Sequence, residues 1–546
     1  MIAAGGGYRA PVTGGGEFVR RDAVSFAGST SLARASRVMA AGTLTSRVTG
    51  FVRTAVLAAA LGVAGLGDAY AVANTIPNIL FDLLLGGVLG AIVVPVLLDA
   101  AARRTDHGQG YARSLLTLTA LGLGGVSVVA VVLAPRLVDV YLGPVPAAEH
   151  RLAVLFARLF LPQVVCYGLG AVAGAVLNAR GRFAAPMWAP VLNNVLVIAA
   201  GLVFLEVSTG HRLEPGSITG AAVWLIGVGT TLGIVVQTAA LLPALRRAGL
   251  PLRPRLHFAE LELGRLGRLA GWVLGYVVTN QLGLWVTIRL ANTTAAGHPG
   301  VGYASYSYAY ALFLVPYAVV AIPVLTALLP RMSVARIADV RAQLSAGVRV
   351  IGVLLVPAAV LGAVVGPSLA VVVFGHGRTT PGQAWTIGLV FSAFCLGLVP
   401  FAGFQLQVRA FYARRDTRTP ALVNLGATAV NVAVDLAVFL LLSGRARLVG
   451  LALGYASSYV VAWAVSTPLL SAQLGGLDGR VVRRTFARAG FAAVLAAAVA
   501  GTVAAVLHPT ASPARALVVL VVGGGGGAVV CALAARRMRL LPLGRS

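Results

Sequence analysis

Two arginines in one apolar stretch are the residues of this sequence most suited to chemistry. The segment LTSRVTGFVRTAVL holds Ser46, Arg47, Thr49, Gly50 and Arg53. A guanidinium stays charged and presents a planar fork of donors, and its bidentate hydrogen bonds fit a phosphate. Six residues turn a helix by about 240 degrees, so the two arginines are expected on different sides of it. Arg47 lies close enough to the helix start to snorkel to headgroups, whereas Arg53 is too deep. Asn431 and Asp435 stand one helical turn apart on one face and form a pair able to bind a cation. Interhelical hydrogen bonding would also account for the amides, but Asp435 is an expensive residue for that purpose. Asp68 precedes Pro77, Asn78 and Asp82 and then the pair Gly86 and Gly87, a pattern suited to a kinked or gating helix. Arg289 follows Thr279, Asn280 and Gln281 in another apolar run. Cys166, Cys395 and Cys531 lie in apolar runs with no disulfide or metal spacing, so no metal site is expected.

The elements that position these residues must lie in lipid. Of 546 residues, 58% are apolar and only 11% charged, far from the roughly 25% charged of soluble domains. A helix needs about 20 mainly apolar residues to cross roughly 30 Å of hydrocarbon. Such windows recur from about residue 35 to residue 535, and they are unalternated, which excludes a β-barrel. An all-α polytopic membrane protein of about fourteen spans is expected. They are placed at 35–62, 68–101, 112–134, 152–178, 187–206, 218–244, 265–292, 303–330, 344–374, 384–412, 418–442, 447–471, 486–507 and 514–535. At mid-bilayer an arginine or aspartate costs about 2.5 to 3.5 kcal/mol, so Arg53 and Asp435 are expected to face an interior cavity.

A formal charge of +27 raises the question of a nucleic-acid partner, but the basic residues, all arginine, fall in short clusters between the spans. Even-numbered gaps and their edges carry 23 arginines and odd-numbered ones 7, which makes the even side cytoplasmic and both termini with it. The charge is a topology signal, not a nucleic-acid footprint. Residues 1–34, rich in Gly, Ser and Arg, read as a disordered cytoplasmic tail, and 536–546 as a second tail. An internal repeat is also present. DAYAVAN from Asp68 and YASYSYAY from Tyr303 are offset by 235, and ARGRFAAP (179–186) and ARRDTRTP (413–420) by 234. The unit holds six spans, which gives an N-lobe at 35–244 and a C-lobe at 265–471 around a central cavity, with two extra spans at 486–535.

The segments SRVTGFVRTAVLAAALG, DAYAVANTIPNILFDLLLGG, VVPVL, NARGRFAAPMWAPVLNN and FYARRDTRTPALVNL resemble the MurJ/MviN family of lipid II flippases, and ILFDLLLGG resembles its high-GC Gram-positive branch. The resemblance covers about residues 38–535 and is most specific in the first hundred. It implies the fold of the multidrug, oligosaccharidyl-lipid and polysaccharide exporter superfamily and a transporter working by alternating access, not an enzyme. The cargo would be lipid II, flipped from the inner to the outer leaflet of the cytoplasmic membrane for cell-wall synthesis, with cell-wall machinery as a further partner. Carried over by position, Arg47, Arg53, Asp68 and Asn78 would contact the substrate, and Asn431 with Asp435 would match the family's sodium pair. No cofactor is implied; sodium, protons or the membrane potential would reset the carrier. The chain departs from the pattern where a basic pair usually follows Pro-Asn, having Phe81 and Asp82, and where span 8 usually carries a basic residue, having Ala311. Arg289 is the expected replacement for a lost charge. Two other readings remain open: a flippase or exporter of another polyprenyl-linked or polysaccharide precursor, and a non-transporting scaffold. A membrane glycosyltransferase is disfavoured, because there is no DxD and few loop carboxylates.

Overall fold

The structure, a computed structural model, describes residues 29–86, 108–208 and 220–538 except 252, 259–260, 262, 296, 335–336, 415 and 509–511. Helices build it, because lipid offers no partner for backbone N–H and C=O groups and a helix satisfies its own. Among the described residues twelve helical segments are long and apolar enough to cross a membrane, and they coincide with twelve of the fourteen expected spans. The other two fall short for different reasons. Span 2 appears as α2 (Leu66–Phe81) and a π-helical turn at Asp82–Gly86, and its remainder lies outside the described residues. Span 7 is a helix of 33 residues, Leu263–Ala295, whose arginines and amides lower its hydropathy.

The first helix, α1, runs Ser29–Leu61, so the last six residues expected in the N-terminal tail are helical. The last three of them, Leu32, Ala33 and Arg34, open LARASRVMAA, a run rich in helix formers. Residues 1–28 and 539–546 of the two expected tails lie outside the described residues. After α2 come α3 (Gln109–Val132), a short α4 (Ala134–Leu142), α5 (Ala147–Phe160), α6 (Gln163–Ala179), α7 (Ala184–Val207), α8 (Gly220–Ala239) and α9 (Leu242–Arg247). Within this half α1 packs on α7, α7 on α8, α2 on α5 and α3 on α6. Small residues set the closeness of α1 and α7: a Cβ on Gly201 would stand 2.8 Å from Val56 Cγ1.

The second half comprises α10 (Leu263–Ala295), α11 (Tyr303–Pro316), a π-helical turn at Tyr317–Ala321, α12 (Ile322–Val334), α13 (Ile337–Phe374), α14 (Pro381–Ala413), α15 (Arg418–Leu441) and α16 (Gly444–Gln473). Here α13 packs on α14, α14 on α16, α15 on α16, and α10 on α15. The chain ends with α17 (Gly479–Leu507), α18 (Pro513–Val518), a π-helical turn at Val519–Gly524 and α19 (Gly525–Arg537). The last helices pack on one another and α17 lies against α13, with Ala492, Ala496 and Cys531 in the contact.

The repeat read from the sequence has structural counterparts. α7 and α15 are both 24 residues long and both their ends are shifted by 234. The π-helical turns Asp82–Gly86 and Tyr317–Ala321 are shifted by 235. The two halves meet where the repeat brings like elements together. Asp68, in the first turn of α2, is buried and its Oδ1 accepts the Ala304 N–H at 2.7 Å, at the start of α11.

Candidate functional site

Two cavities flank the seam between the halves, and they differ in chemistry. The first, about 620 Å³, is bounded by α1, α7 and α11 with the turn after it. Arg47, Arg53, Ser46, Asn193, Asn194 and Ala311 are among its lining residues. Asn194 Nδ2 donates to Ser46 O at 3.0 Å and Thr49 Oγ1 at 2.9 Å, which fixes the facing surface of α7 against α1. Arg53 is half-buried and its Nε has no partner. A buried guanidinium nitrogen without an acceptor is costly, and an anionic ligand would relieve that cost. The two arginines line one cavity, contrary to the expectation of different sides. A step of about 240 degrees one way is about 120 degrees the other, and this cavity curves around α1 between α7 and α11. Ala311, near the place where the family pattern usually has a basic residue, is among its lining residues too.

The second cavity, about 440 Å³, lies among α10, α11, α14, α15, α16 and the π-helical turn of Asp82. Aromatic hydroxyls and amides line it, including Tyr276, Tyr306, Tyr310, Asn280, Gln281 and Asn424. Among the described residues that line it there is no arginine or histidine, and Asp82 is the one charged group. Gln281 Nε2 donates to Asp82 Oδ2 at 3.1 Å. Tyr310 and Tyr455 hydroxyls meet at 3.2 Å. The sequence reading passed over this tyrosine wall, although its signal was present. In YASYSYAY, Tyr303, Tyr306 and Tyr310 stand at i, i+3 and i+7 on one helical face, and all three line the cavity. Tyr308, off that face, stacks on Phe374 with centroids 5.7 Å apart.

Asn431 and Asp435 lie at the back of this cavity. Asn431 is among its lining residues, and Asp435 is fully buried behind it. Asp435 Oδ2 accepts from Thr287 Oγ1 at 2.7 Å, while Oδ1 and the Asn431 Nδ2 have no partner. Gly454 leaves them room: a Cβ there would collide with Asp435 Oδ1 and stand 3.2 Å from Asn431 Nδ2. The unpartnered carboxylate oxygen and the Thr287 hydroxyl oxygen suit a hard monovalent cation, and the Asn431 amide adds its oxygen once it turns end for end, since Nδ2 only donates. No group of three His, Cys, Asp or Glu residues is assembled for a metal ion among the described residues.

The other expected site residues stand elsewhere. Asp68 caps the start of α11 and lines neither cavity; a Cβ on Gly302 would collide with its carboxylate. Asn78 is exposed on α2, lines neither cavity, and its Nδ2 donates to Asn74 O at 2.8 Å. Arg289 does not replace a charge in the arginine cavity. Its Nη1 donates to Asp139 O at 3.0 Å and its guanidinium lies against Gly143, so it ties α10 to α4 and the loop beyond. The i, i+4 rise along α10 carries it past both cavities to the end predicted to be extracellular.

That end joins the halves through several further bonds. Trp285 Nε1 donates to Val140 O at 3.0 Å and Asn292 Nδ2 to Tyr141 O at 3.2 Å. The Arg378 N–H donates to Ala59 O at 2.9 Å and Thr379 Oγ1 to Ala58 O at 2.7 Å. Gly377, at φ 62, lets this loop approach so closely, since a Cβ there would stand 2.5 Å from Ala59 O. Thr380 and Gln383 then form a reciprocal cap that starts α14.

Comparison with known proteins gives the same architecture. The chain is 28% identical over 461 residues to the probable lipid II flippase MurJ of Rhizobium meliloti, covering 81% of each chain. It is 29% identical over 433 residues to the lipid II flippase MurJ of Burkholderia cenocepacia, covering 77% of this chain and 80% of that one. Among solved structures, a lipid II flippase MurJ in an inward closed conformation superimposes with a TM-score of 0.72 at 16% identity, over 92% of this chain and 99% of the other. An inward-facing MATE family transporter of the MOP superfamily gives 0.62 at 14% identity, over 78% and 95%. The family model for lipid II flippase MurJ matches residues 57–521, and the chain belongs to that family.

Proposed function

We infer that this multi-pass membrane protein flips lipid II from the inner to the outer leaflet for peptidoglycan synthesis, as a transporter that breaks no bond. The family membership supports this cargo. The observation that carries the mechanism is the unpartnered Arg53 Nε in a cavity it shares with Arg47. The pyrophosphate of the substrate pairs with these two guanidiniums, the sugar and peptide occupy the polar space between the halves, and the polyprenyl tail stays in lipid. Neutralising the arginines favours one arrangement of the halves only through differential affinity, so the anion drives the change by binding the two arrangements unequally. The Asn431, Asp435 and Thr287 set receives a monovalent cation whose binding resets the empty carrier. The excess of arginine on one side supports cytoplasmic termini, and the lipid II cargo supports the plasma membrane as the location.

Replacing Arg53 by alanine tests this in cells lacking other lipid II flippases, at matched protein level. The lost charge-assisted contact is worth about 2 kcal/mol, or roughly thirtyfold in affinity. The expected result is lipid II retained in the inner leaflet and lysis. Normal growth with normal outward lipid II would remove Arg53 as the phosphate contact.

A further inference from the structure

We propose that the tyrosine and amide cavity is a receptor for a protonated primary amine, with Asp82 as its counter-ion; the proposal rests on the lipid II reading above. Asp82 begins a π-helical turn, an arrangement frequent at functional sites. One of its oxygens is engaged by Gln281 Nε2, and the same amide leaves Gln281 Oε1 buried without a partner. A carboxylate beside an unsatisfied carbonyl is a set of acceptors waiting for donors, and an ammonium supplies three. The tyrosine rings supply faces that attract a cation. Asp435 lies behind the same wall, one hydroxyl away through Thr287, and adds negative potential. Among the described lining residues there is no basic side chain.

The charge pattern extends across the molecule. The arginine cavity offers two cations and the tyrosine cavity one carboxylate, and they meet α11 along successive stretches, residues 311–315 and 303–310. A long substrate with an anion at one end and an ammonium on its peptide is held at both ends by this arrangement. Asp82 stands where the family pattern read in the sequence has a basic residue, so the selectivity belongs to this chain and to the branch that ILFDLLLGG resembles. An amine reaches the cavity from either of two sources, the diamino acid of a lipid-linked peptide or a free organic amine.

Binding to the purified full-length protein in nanodiscs separates these. The probes are lipid II with a lysine in its peptide, the same lipid with that amine acetylated, and free Nα-acetyl-lysine amide. The native lipid is expected to bind at least about tenfold more tightly than the acetylated one. Asp82→Asn should abolish that preference with the acetylated lipid unchanged, Asp82→Glu should restore part of it, and Arg53→Ala should weaken both lipids by the same factor. Asp82-dependent binding of the free amine at the affinity of the lysine lipid would support the site and assign it to soluble amines. Equal binding of the two lipids by the wild-type protein, with no free-amine binding, would overturn the proposal and leave the flippase reading standing. Failure of the wild-type protein to bind either lipid would overturn both.

Discussion

Asp435 has one oxygen bonded to Thr287 and one with no partner, in a wall where an uncompensated charge is expensive. A cation that satisfies the free oxygen should therefore stabilise the fold through mass action. Titrating sodium or lithium against the wild-type protein in detergent should raise its Tm by several degrees, and Asp435→Asn should flatten the response. An unchanged response in the variant would move the ion elsewhere. The placement of Asn431 and Asp435 together at the cavity was legible from the sequence because i, i+4 spacing and the rarity of aspartate in lipid act locally. Arg53 was legible for the same reason. The roles of Asp68 and Arg289 were not, since their partners, the Ala304 N–H and the Asp139 carbonyl, lie 236 and 150 residues away and are backbone groups that no residue type announces.

Helices were read more accurately than what joins them. The span expected at 418–442 is Arg418–Leu441, because a long apolar run flanked by arginines defines both ends. The short α4 was missed: its nine residues are too few for a span, and only the proline near its start marks it. It matters because α10 docks on it through Trp285 and Arg289. At the opposite end of the bundle, the extra C-terminal helices are fastened where α17 begins. Arg341 of α13 donates to Asp478 Oδ1 through Nη2 at 2.6 Å and Nε at 3.1 Å. That guanidinium holds the Asp478 carboxyl below its ordinary value. The tie is therefore present above the unfolded carboxylate pKa of about 3.9 and lost as pH falls through the lower folded value. Asp478→Asn should lower the Tm slightly at pH 7, and the difference from wild type should shrink as pH falls below the ordinary carboxylate value of about 3.9. A pH-independent difference would assign the effect to something other than this pair.

For the molecule as a whole, the hydrogen bonds described between the halves gather toward one end. Ala58, Ala59 and Asp68 on one half meet Thr379, Arg378 and Ala304 on the other. If transport requires this seam to part, a disulfide across it should stop the cycle. The pair Ala59→Cys and Arg378→Cys is expected to reduce flipping at least about tenfold under oxidation, with recovery on adding reductant. Unimpaired flipping by the fully cross-linked protein would show that the seam stays shut during transport. An all-helical membrane fold with twelve of the expected spans was foreseeable from hydropathy, since lipid imposes it along the described chain. The two cavities were not, because each is assembled from helices far apart in sequence. The paired π-helical turns bear on the history of the protein. Each adds one residue to the turn of its helix, and the two lie in the same register of the repeat, at Asp82–Gly86 and Tyr317–Ala321. Two separate insertions at equivalent places require two events, whereas one insertion in an ancestral six-helix unit, copied when that unit was duplicated and fused, requires one. By that account the bulge is older than the two-lobed molecule, and the acidic and aromatic residues that now begin its two copies record their divergence afterwards.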